Sequence, residues 1–315
     1  MAPTVSVVIA NYNSARTIAE TLDSVLAQDY RPLDIVVVDD GSTDDSLQAL
    51  QPYRESVRVF TQANAGPAAA RNTALQHARG ELVAFADADD VWLPGKLSAQ
   101  VRLLEARPEV GAVCTRWQPW HADADGVYRM PTPLRHLTVG DQVEPERCGW
   151  RYTHLLLGSE MLTSAVMMRR QLIDELGPLD PSLRNGEDYD YWLRLSRIRQ
   201  IARLASVGVL YRQWAGSETG TPKPVNYELR VLERALARWG HEGPDGARVD
   251  ARALERRIER MRLEHGYAHL RRGSADIALK AYLQALRRQP WNARFWLRAG
   301  QAAMRRLGFT RVGLE

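Results

Sequence analysis

Hydrophobic and polar positions change period along this chain. "VSVVIA" (5–10), "DIVVVDD" (34–40), "SVRVFTQ" (56–62) and "ELVAFAD" (81–87) are short, apolar-rich runs. Runs of this length predict strands, and the continuous apolar ones predict burial on both faces. Between them the spacing lengthens to that of helices: one from a Ser14 cap to about Gln28, one opened by "GSTDDSLQALQPY", and one in "AGPAAARNTALQHARG" ending at Gly80. The order βαβαβαβ predicts an α/β fold, a mostly parallel, Rossmann-like sheet flanked by helices.

Beyond residue 90 the alternation loosens. "PGKLSAQVRLLEARP" predicts a helix and "VGAVCTRW" (110–117) a strand, while 118–150 is an irregular region rich in Pro, Gly, Trp and His and too long for a simple connector. "TSAVMMRR" then predicts a strand and "RQLIDELG" a short helix stopped by Gly177 and Pro178. "GEDYDYWLRLSRI" predicts an amphipathic helix from Glu187, and "SVGVLYRQW" (206–214) a strand that closes or flanks the sheet. From about 226 the chain is helical, with Gly266, Ala278, Tyr282, Ala285 and Pro290 at tetratricopeptide-like spacing. A single such unit is not a solenoid, so it reads as a C-terminal helical hairpin.

Composition sharpens this only in places. At 315 residues, 45% hydrophobic and 25% charged, the chain has room for one large domain and an appendage. No apolar run approaches the roughly 20 residues of a membrane span, and "MAPTVSVVIANYN" lacks a basic leader, so a cytoplasmic location is expected. Cys114 and Cys148 are the only cysteines, too few for a disulfide framework or a thiolate metal site. The net charge of +4 is unevenly spread: residues 1–225 carry 23 basic and 28 acidic side chains, residues 226–315 carry 19 and 10. All but three basic residues are arginines, a preference also produced by a GC-rich genome, and nucleic-acid binding is not inferred. The tail instead suits a polyanionic surface. "RQPWNARFWLRAGQAAMRRLGF" interleaves Trp291, Phe295, Trp296 and Leu297 with arginines, the pattern of a helix at a membrane interface.

Candidate chemistry lies at the strand ends. In open α/β sheets ligands bind outside the carboxyl ends of the strands, and three polar clusters fall there: "ANYNS" (10–14), "VDDGSTD" (38–44) and "DADD" (87–90). Neither G-x-G-x-x-G after the first strand nor G-x-x-x-x-G-K-[ST] anywhere is present, which disfavours a dinucleotide dehydrogenase and a P-loop NTPase. Two carboxylates one residue apart at a strand tip can share a divalent cation or a water on it. Magnesium in such sites is completed by substrate phosphates, so the acids imply a phosphorylated ligand.

Taken together, "VSVVIANYNSARTIAETLDSVLAQDYRPLDIVVVDDGSTDDS", "NAGPAAARNTALQHARGELVAFADADDVWLPGKL" and "GEDYDYWLRL" resemble an inverting family 2 glycosyltransferase of the GT-A fold. The resemblance covers roughly residues 4–215. It implies a hexosyltransferase-type enzyme that uses a divalent metal, Mn²⁺ or Mg²⁺, and a nucleotide-sugar donor, UDP-sugar above others. The implied acceptor is a glycan or lipid-linked sugar of cell-envelope or exopolysaccharide biosynthesis, without nucleic acid. The expected setting is the cytoplasm at the inner face of the plasma membrane, with peripheral contact through the C-terminal helices. The expected domains are a catalytic domain 1–222, with a nucleotide-binding half to about 115 and an acceptor half from 116, and a basic helical extension 223–315.

Residue by residue, Asp87-Ala88-Asp89 corresponds to the family's DxD motif, with Asp89 the main metal ligand and Asp87 on the ribose or metal-bound water. Asp90 is a weaker candidate. Asp188 in "GED" matches the family's base, and Glu187 orients the acceptor or the helix terminus. Tyr12 packs on the nucleotide base, Asp40 accepts from it, Ala10 offers backbone atoms, and Arg71 reaches the nucleotide or its phosphates. Asn11, Asn13 and Asp39 are further candidates, while Gly41, Ser42, Asn64 and Gly66 shape loops. One departure stands out: "YRQWAGSET" places Trp214 where relatives often carry a histidine near the diphosphate, with Arg212 available to compensate. Two other classes compete. A degenerate nucleotide-sugar-binding or scaffold module is opposed by the intact acids. A nucleotidyltransferase would show a Gly-rich basic loop after the first strand, and "ANYNSAR" is not one.

Overall fold

The computed structural model describes residues 2–213 and 222–309. The elements in chain order are β1 (Val5–Asn11), α1 (Ile18–Leu26), β2 (Leu33–Asp39), α2 (Ser46–Ala49), β3 (Arg58–Thr61), α3 (Pro67–His77), β4 (Leu82–Asp87) and β5 (Val91–Trp92). They continue with α4 (Lys96–Ala106), β6 (Val110–His121), α5 (Tyr152–Leu155), β7 (Val166–Arg169), α6 (Gln171–Leu176), α7 (Glu187–Ile198) and β8 (Gln200–Gln213). Helices α8 (Tyr227–Trp239), α9 (Ala251–Arg272), α10 (Ala275–Arg288) and α11 (Ala293–Arg306) follow.

The strands form one sheet in the order β3-β2-β1-β4-β7-β6-β8-β5. β1, β2, β3 and β4 pair in parallel, as their helical crossovers require. β7 runs antiparallel to both its neighbours, and β5 runs antiparallel to β8. The sheet is therefore mixed, and its parallel half is the one that presents the carboxyl ends of β1, β2 and β4 together. Val5 to Ile9, Val36 to Val38 and Val83 to Ala86 are almost completely buried, which is why these strands read as unbroken apolar runs. Gly80 lets β4 enter beside β1: a side chain there would sit 2.5 Å from the Thr4 carbonyl oxygen and 2.6 Å from the Ser6 nitrogen.

Several boundaries differ from the sequence reading. Ser14 does not cap α1; its carbonyl accepts from Thr17 and Ile18 while its hydroxyl turns back to the Tyr12 carbonyl, and the helix starts at Ile18. "GSTDDSLQALQPY" forms only the four-residue α2 and a 3₁₀ turn containing Pro52. β6 runs four residues past Trp117 into the region expected to be irregular, and β8 begins six residues earlier than Ser206. Each supplies the other's partner, pairing in parallel from Val110 to His121 through register shifts at Val110/Ala112 and around Arg116. Local pattern alone misses strands made long by a distant partner.

By its contacts the chain divides into two compact units. The first holds all eight strands and the turn His241–Arg248. The second holds α8 to α11, whose N-termini are capped by side chains of Asn226, Asp250, Ser274 and Asn292. Its core joins Leu270, Ala278, Tyr282, Leu286, Ala299 and Ala302. No helix among the described residues is long and apolar enough to cross a membrane.

Candidate active site

The loops after β1 and β2 are stitched together. Asn11 Nδ2 donates to Asp39 Oδ1 at 2.7 Å, and Ser42 donates its backbone N–H (3.0 Å) and its hydroxyl (2.6 Å) to the same carboxylate. Asn13, at φ 50°, accepts the Thr43 N–H at 2.8 Å. Asn11, Asn13 and Asp39 thus fix the two loops to each other. Asp40 is buried and accepts three hydrogen bonds, from Gln62 Nε2 (2.7 Å), Ala65 N–H (2.9 Å) and Gly66 N–H (2.8 Å). A carboxylate has about four acceptor positions, so these three bonds leave one of them untaken. Tyr12 stands at the rim with 49% of its surface exposed. Ala10 lies directly across from Asp87 in the β1–β4 ladder.

The Asp87–Asp90 turn is held from three sides. Ser164 Oγ accepts the Asp87 N–H at 2.9 Å, Thr17 donates to the Ala88 carbonyl at 2.9 Å, and Thr21 donates to the Asp90 carbonyl at 2.8 Å. Arg212 supplies the third anchor: its backbone N–H reaches Asp90 Oδ1 (3.1 Å), its Nε the Asp89 carbonyl (2.8 Å), and its Nη2 the Glu20 carboxylate. Its guanidinium also sits 4.5 Å from the Trp120 ring centre and 4.3 Å from that of Tyr128. Trp214, the expected departure from the family histidine, lies outside the described residues.

Asp90 is buried, and burial together with the charges of Asp87 and Asp89 pushes its pKa well above the ordinary carboxylate value. Its Oδ2 has no hydrogen-bond partner. Among the described residues no three His, Cys, Asp or Glu side chains are grouped to hold a metal by themselves. Asp87 and Asp89, both partly exposed at the strand tip, nevertheless fit a hard cation that takes one or two carboxylates and completes its shell with diphosphate and water. The orphaned Asp90 oxygen, and the repulsion among three neighbouring acids, are what a cation there would relieve.

Arg71, on the buried face of α3, joins this turn to the start of α7. Its Nη2 donates to Asp87 Oδ1 at 2.7 Å and its Nη1 to Glu187 Oε1 at 2.5 Å. Those two carboxylates, with Asp188 nearby, raise the arginine's pKa further despite burial. α7 begins after Gly186, whose φ of 77° favours glycine. Asp188 accepts from the Thr163 hydroxyl at Oδ2 (2.9 Å) and from the Tyr189 N–H at Oδ1 (2.7 Å). Burial first, then the charge of Glu187, pushes its pKa up to about 6, against the opposing pull of Arg71 and Thr163. A carboxylate poised there is an effective proton acceptor near neutral pH.

Consecutive residues Thr163 and Ser164 therefore hold Asp188 and Asp87 respectively, from a 3₁₀ turn at the head of β7. The run "TSAVMMRR" predicts a strand through both and points to no role for either, because two adjacent hydroxyls ahead of "AVMM" carry no recognisable signal. The sequence offers Arg212 only as a substitute for the missing histidine, whereas its guanidinium is engaged with the turn and two aromatic rings.

Comparison with known proteins places this arrangement. Over 99% of this chain and 94% of the other, it superimposes on the crystal structure of S. aureus TarS 1-349 in complex with UDP-GlcNAc, with a TM-score of 0.61 at 18% identity. A mannosyltransferase from Pyrobaculum calidifontis, in complex with GDP-Man and Mn2+, matches with a TM-score of 0.54 at 21% identity, over 99% of this chain and 89% of that one. The architecture is the GT-A fold. A sequence model described as Glycosyl transferase family 2 matches residues 6–142. An Escherichia coli protein named UDP-Glc:alpha-D-GlcNAc-diphosphoundecaprenol beta-1,3-glucosyltransferase WfaP is 30% identical over 220 residues, which is 68% of this chain and 78% of that protein. An uncharacterized glycosyltransferase of Nostoc sp. is 42% identical over 185 residues, 56% of this chain. The chain spans about half of the Nostoc protein, 54% of its length. This chain belongs to glycosyltransferase family 2.

Proposed function

We propose that the chain is an inverting, metal-dependent glycosyltransferase that moves a sugar from a nucleotide donor, UDP-sugar foremost, to a lipid-linked or glycan acceptor. The observation that carries this reading is the Arg71 bridge. It ties Asp87, at the tip of a sheet strand, to Glu187, beside the half-buried Asp188, whose pKa is pushed up to about 6, so a donor-side acid and a candidate base are held close together. The E. coli relative's name describes glucose transfer to a diphosphoundecaprenol-linked GlcNAc, which supports a lipid-linked acceptor and a role in polysaccharide assembly. The fold neighbours' complexes with UDP-GlcNAc and with GDP-Man and Mn2+ support a nucleotide sugar and a divalent ion.

In this reading Tyr12 packs on the base, the remaining acceptor position of Asp40 takes a base N–H, and the Ala10 backbone lines the ribose side. Asp87 and Asp89 hold the cation, which when bound supplies Lewis-acid charge to the diphosphate. The acceptor hydroxyl attacks the anomeric carbon opposite the diphosphate. Its oxygen forms the new bond, the bond to the phosphate oxygen breaks with its electron pair, and the hydroxyl proton passes to Asp188. Single displacement inverts the anomeric centre. Glu187, fixed by Arg71, sets the rim against which the acceptor lies, and Arg71 acts by positioning both acids.

The test is nucleoside diphosphate release from a panel of nucleotide sugars with Mn²⁺ or Mg²⁺, comparing the natural chain with Asp89→Ala and Asp188→Ala. Metal-dependent release lost in both variants supports the enzyme and names its donor. If the panel, supplied with lipid-linked GlcNAc acceptor, gives no release while calorimetry detects donor binding, the chain is a binding module.

A further inference from the structure

Helix α11 carries apolar residues on two sides. Phe295, Ala299 and Ala302 belong to the small core shared with Leu270, Tyr282 and Leu286. Leu297, Met304 and Leu307 follow one another at spacings of about two turns and one turn, with Gly300 between, and so share the opposite face. All three are exposed, Leu307 to 75%. Trp296 beside them is 58% exposed, and Trp291, just before the helix, is 80% exposed. The Trp296 indole N–H is satisfied by the Pro290 carbonyl at 2.8 Å, which leaves its carbon surface as the unpartnered part.

The charges around this face are of one sign. From residue 287 to 309 there are six arginines and no acid. Arg305 is engaged with the carbonyls of His269 and Gly273, Arg306 with Asp276, and Arg298 with the Tyr267 ring. Arg287, Arg288 and Arg294 point into solvent as exposed residues. A soluble helix in water gains nothing from exposing two tryptophans and a leucine stripe. A protein partner would have to offer carboxylates and an apolar groove in matching register. An anionic bilayer needs no such register: phosphates and an apolar layer lie side by side at its headgroup boundary, where tryptophan rings are favoured and each basic side chain near the surface adds attraction.

We propose that the outer face of α11 docks on an anionic membrane, with Trp291, Trp296, Leu297 and Leu307 entering the headgroup boundary and Arg287, Arg288 and Arg294 pairing with lipid phosphates. This surface goes beyond the transferase reading and is independent of it.

The experiment is flotation of the full chain with vesicles of phosphatidylcholine mixed with phosphatidylglycerol, and with vesicles of phosphatidylcholine alone. Binding to the anionic vesicles is expected, weakened by salt. The pair Trp296→Ser with Leu297→Ser, and separately the set Arg287→Gln, Arg288→Gln and Arg294→Gln, should each lower the partition coefficient by about tenfold or more. All five positions are exposed, so thermal melts and donor turnover in solution should match the natural chain, which separates this proposal from the fate of the transferase reading. Absence of binding to anionic vesicles, equal binding to both vesicle types, or undiminished binding by the variants would overturn it. So would a concentration-dependent dimer that Trp296→Ser with Leu297→Ser dissolves, since the face would then be a contact between copies.

Discussion

The hydroxyl of Thr163 donates to Oδ2 of Asp188 at 2.9 Å. This bond favours the charged carboxylate, against burial and Glu187, which push the group up to about 6. If Asp188 is the base, kcat/KM should fall about tenfold per pH unit below that value, because only the carboxylate form accepts the acceptor proton. Thr163→Val removes the opposing bond and should move the limb to higher pH, with activity recovered in alkaline buffer. A pH profile of transfer checks this; an unmoved limb would dissociate Asp188 from the base role. The raised pKa also has a stability consequence: protonated Asp188 stabilises the fold below the ordinary carboxylate range, and that contribution is lost as pH rises through about 6.

Arg71 is the only side chain described here that contacts both Asp87 and Glu187. Arg71→Ala would leave Glu187 buried without its counter-charge, a change that costs about 3–5 kcal/mol in comparable buried pairs. Arg71→Lys keeps the charge but not the planar fork that meets two carboxylates at once. Thermal unfolding should therefore show partial rescue by lysine, while donor turnover stays depressed on the order of a hundredfold in both variants because the two acids lose their fixed separation. Lysine restoring full turnover would show that charge alone suffices.

The parallel half of the fold and the acid clusters at its strand ends were legible because each depends on local pattern: an apolar run, a polar tip, a helix after it. The Pro67 start of α3 and the run from Glu187 into α7 were equally visible. What was not legible depends on partners far along the chain. β5 has only two residues and exists because Val91 and Trp92 pair with Leu210 and Val209. The hydroxyls of Thr163 and Ser164 matter because β7 inserts antiparallel beside β4 and brings them to Asp188 and Asp87. Asp40 reads in the sequence as an acceptor for the nucleotide base, and what the pattern does not show is that Gln62, Ala65 and Gly66 already take three of its about four acceptor positions.

Arg212 fixes the Asp87–Asp90 turn without belonging to it. Its Nε bond to the Asp89 carbonyl and its stacking against Trp120 and Tyr128 set where the partly exposed acids point. Arg212→Lys preserves a positive charge for Glu20 but neither the Nε bond nor the planar stacking. In that variant the donor affinity measured by calorimetry should weaken by about tenfold, with the apparent metal requirement raised in parallel. A change in melting temperature alone, with donor affinity unaltered, would reduce Arg212 to a purely structural role.

Lys96 offers a test of stability away from the crevice. It is completely buried at the start of α4, with its ammonium nitrogen 3.6 Å from the Trp92 ring centre and 3.1 Å from Gln100 Oε1, its donor contact. Burial drives its pKa well below the usual lysine value. The unfolded chain holds a proton that the folded chain resists, so stability rises with pH toward the ordinary lysine range, and at neutral pH the site costs folding energy. Lys96→Met, of similar length and wholly apolar, should raise stability at neutral pH by ~1 kcal/mol or more, and the gain should shrink as pH approaches about 10. Denaturant unfolding at both pH values measures it. A methionine variant less stable than the natural chain at neutral pH would mean that the contact with the indole and Gln100 outweighs desolvation, and that Lys96 keeps its charge inside the core.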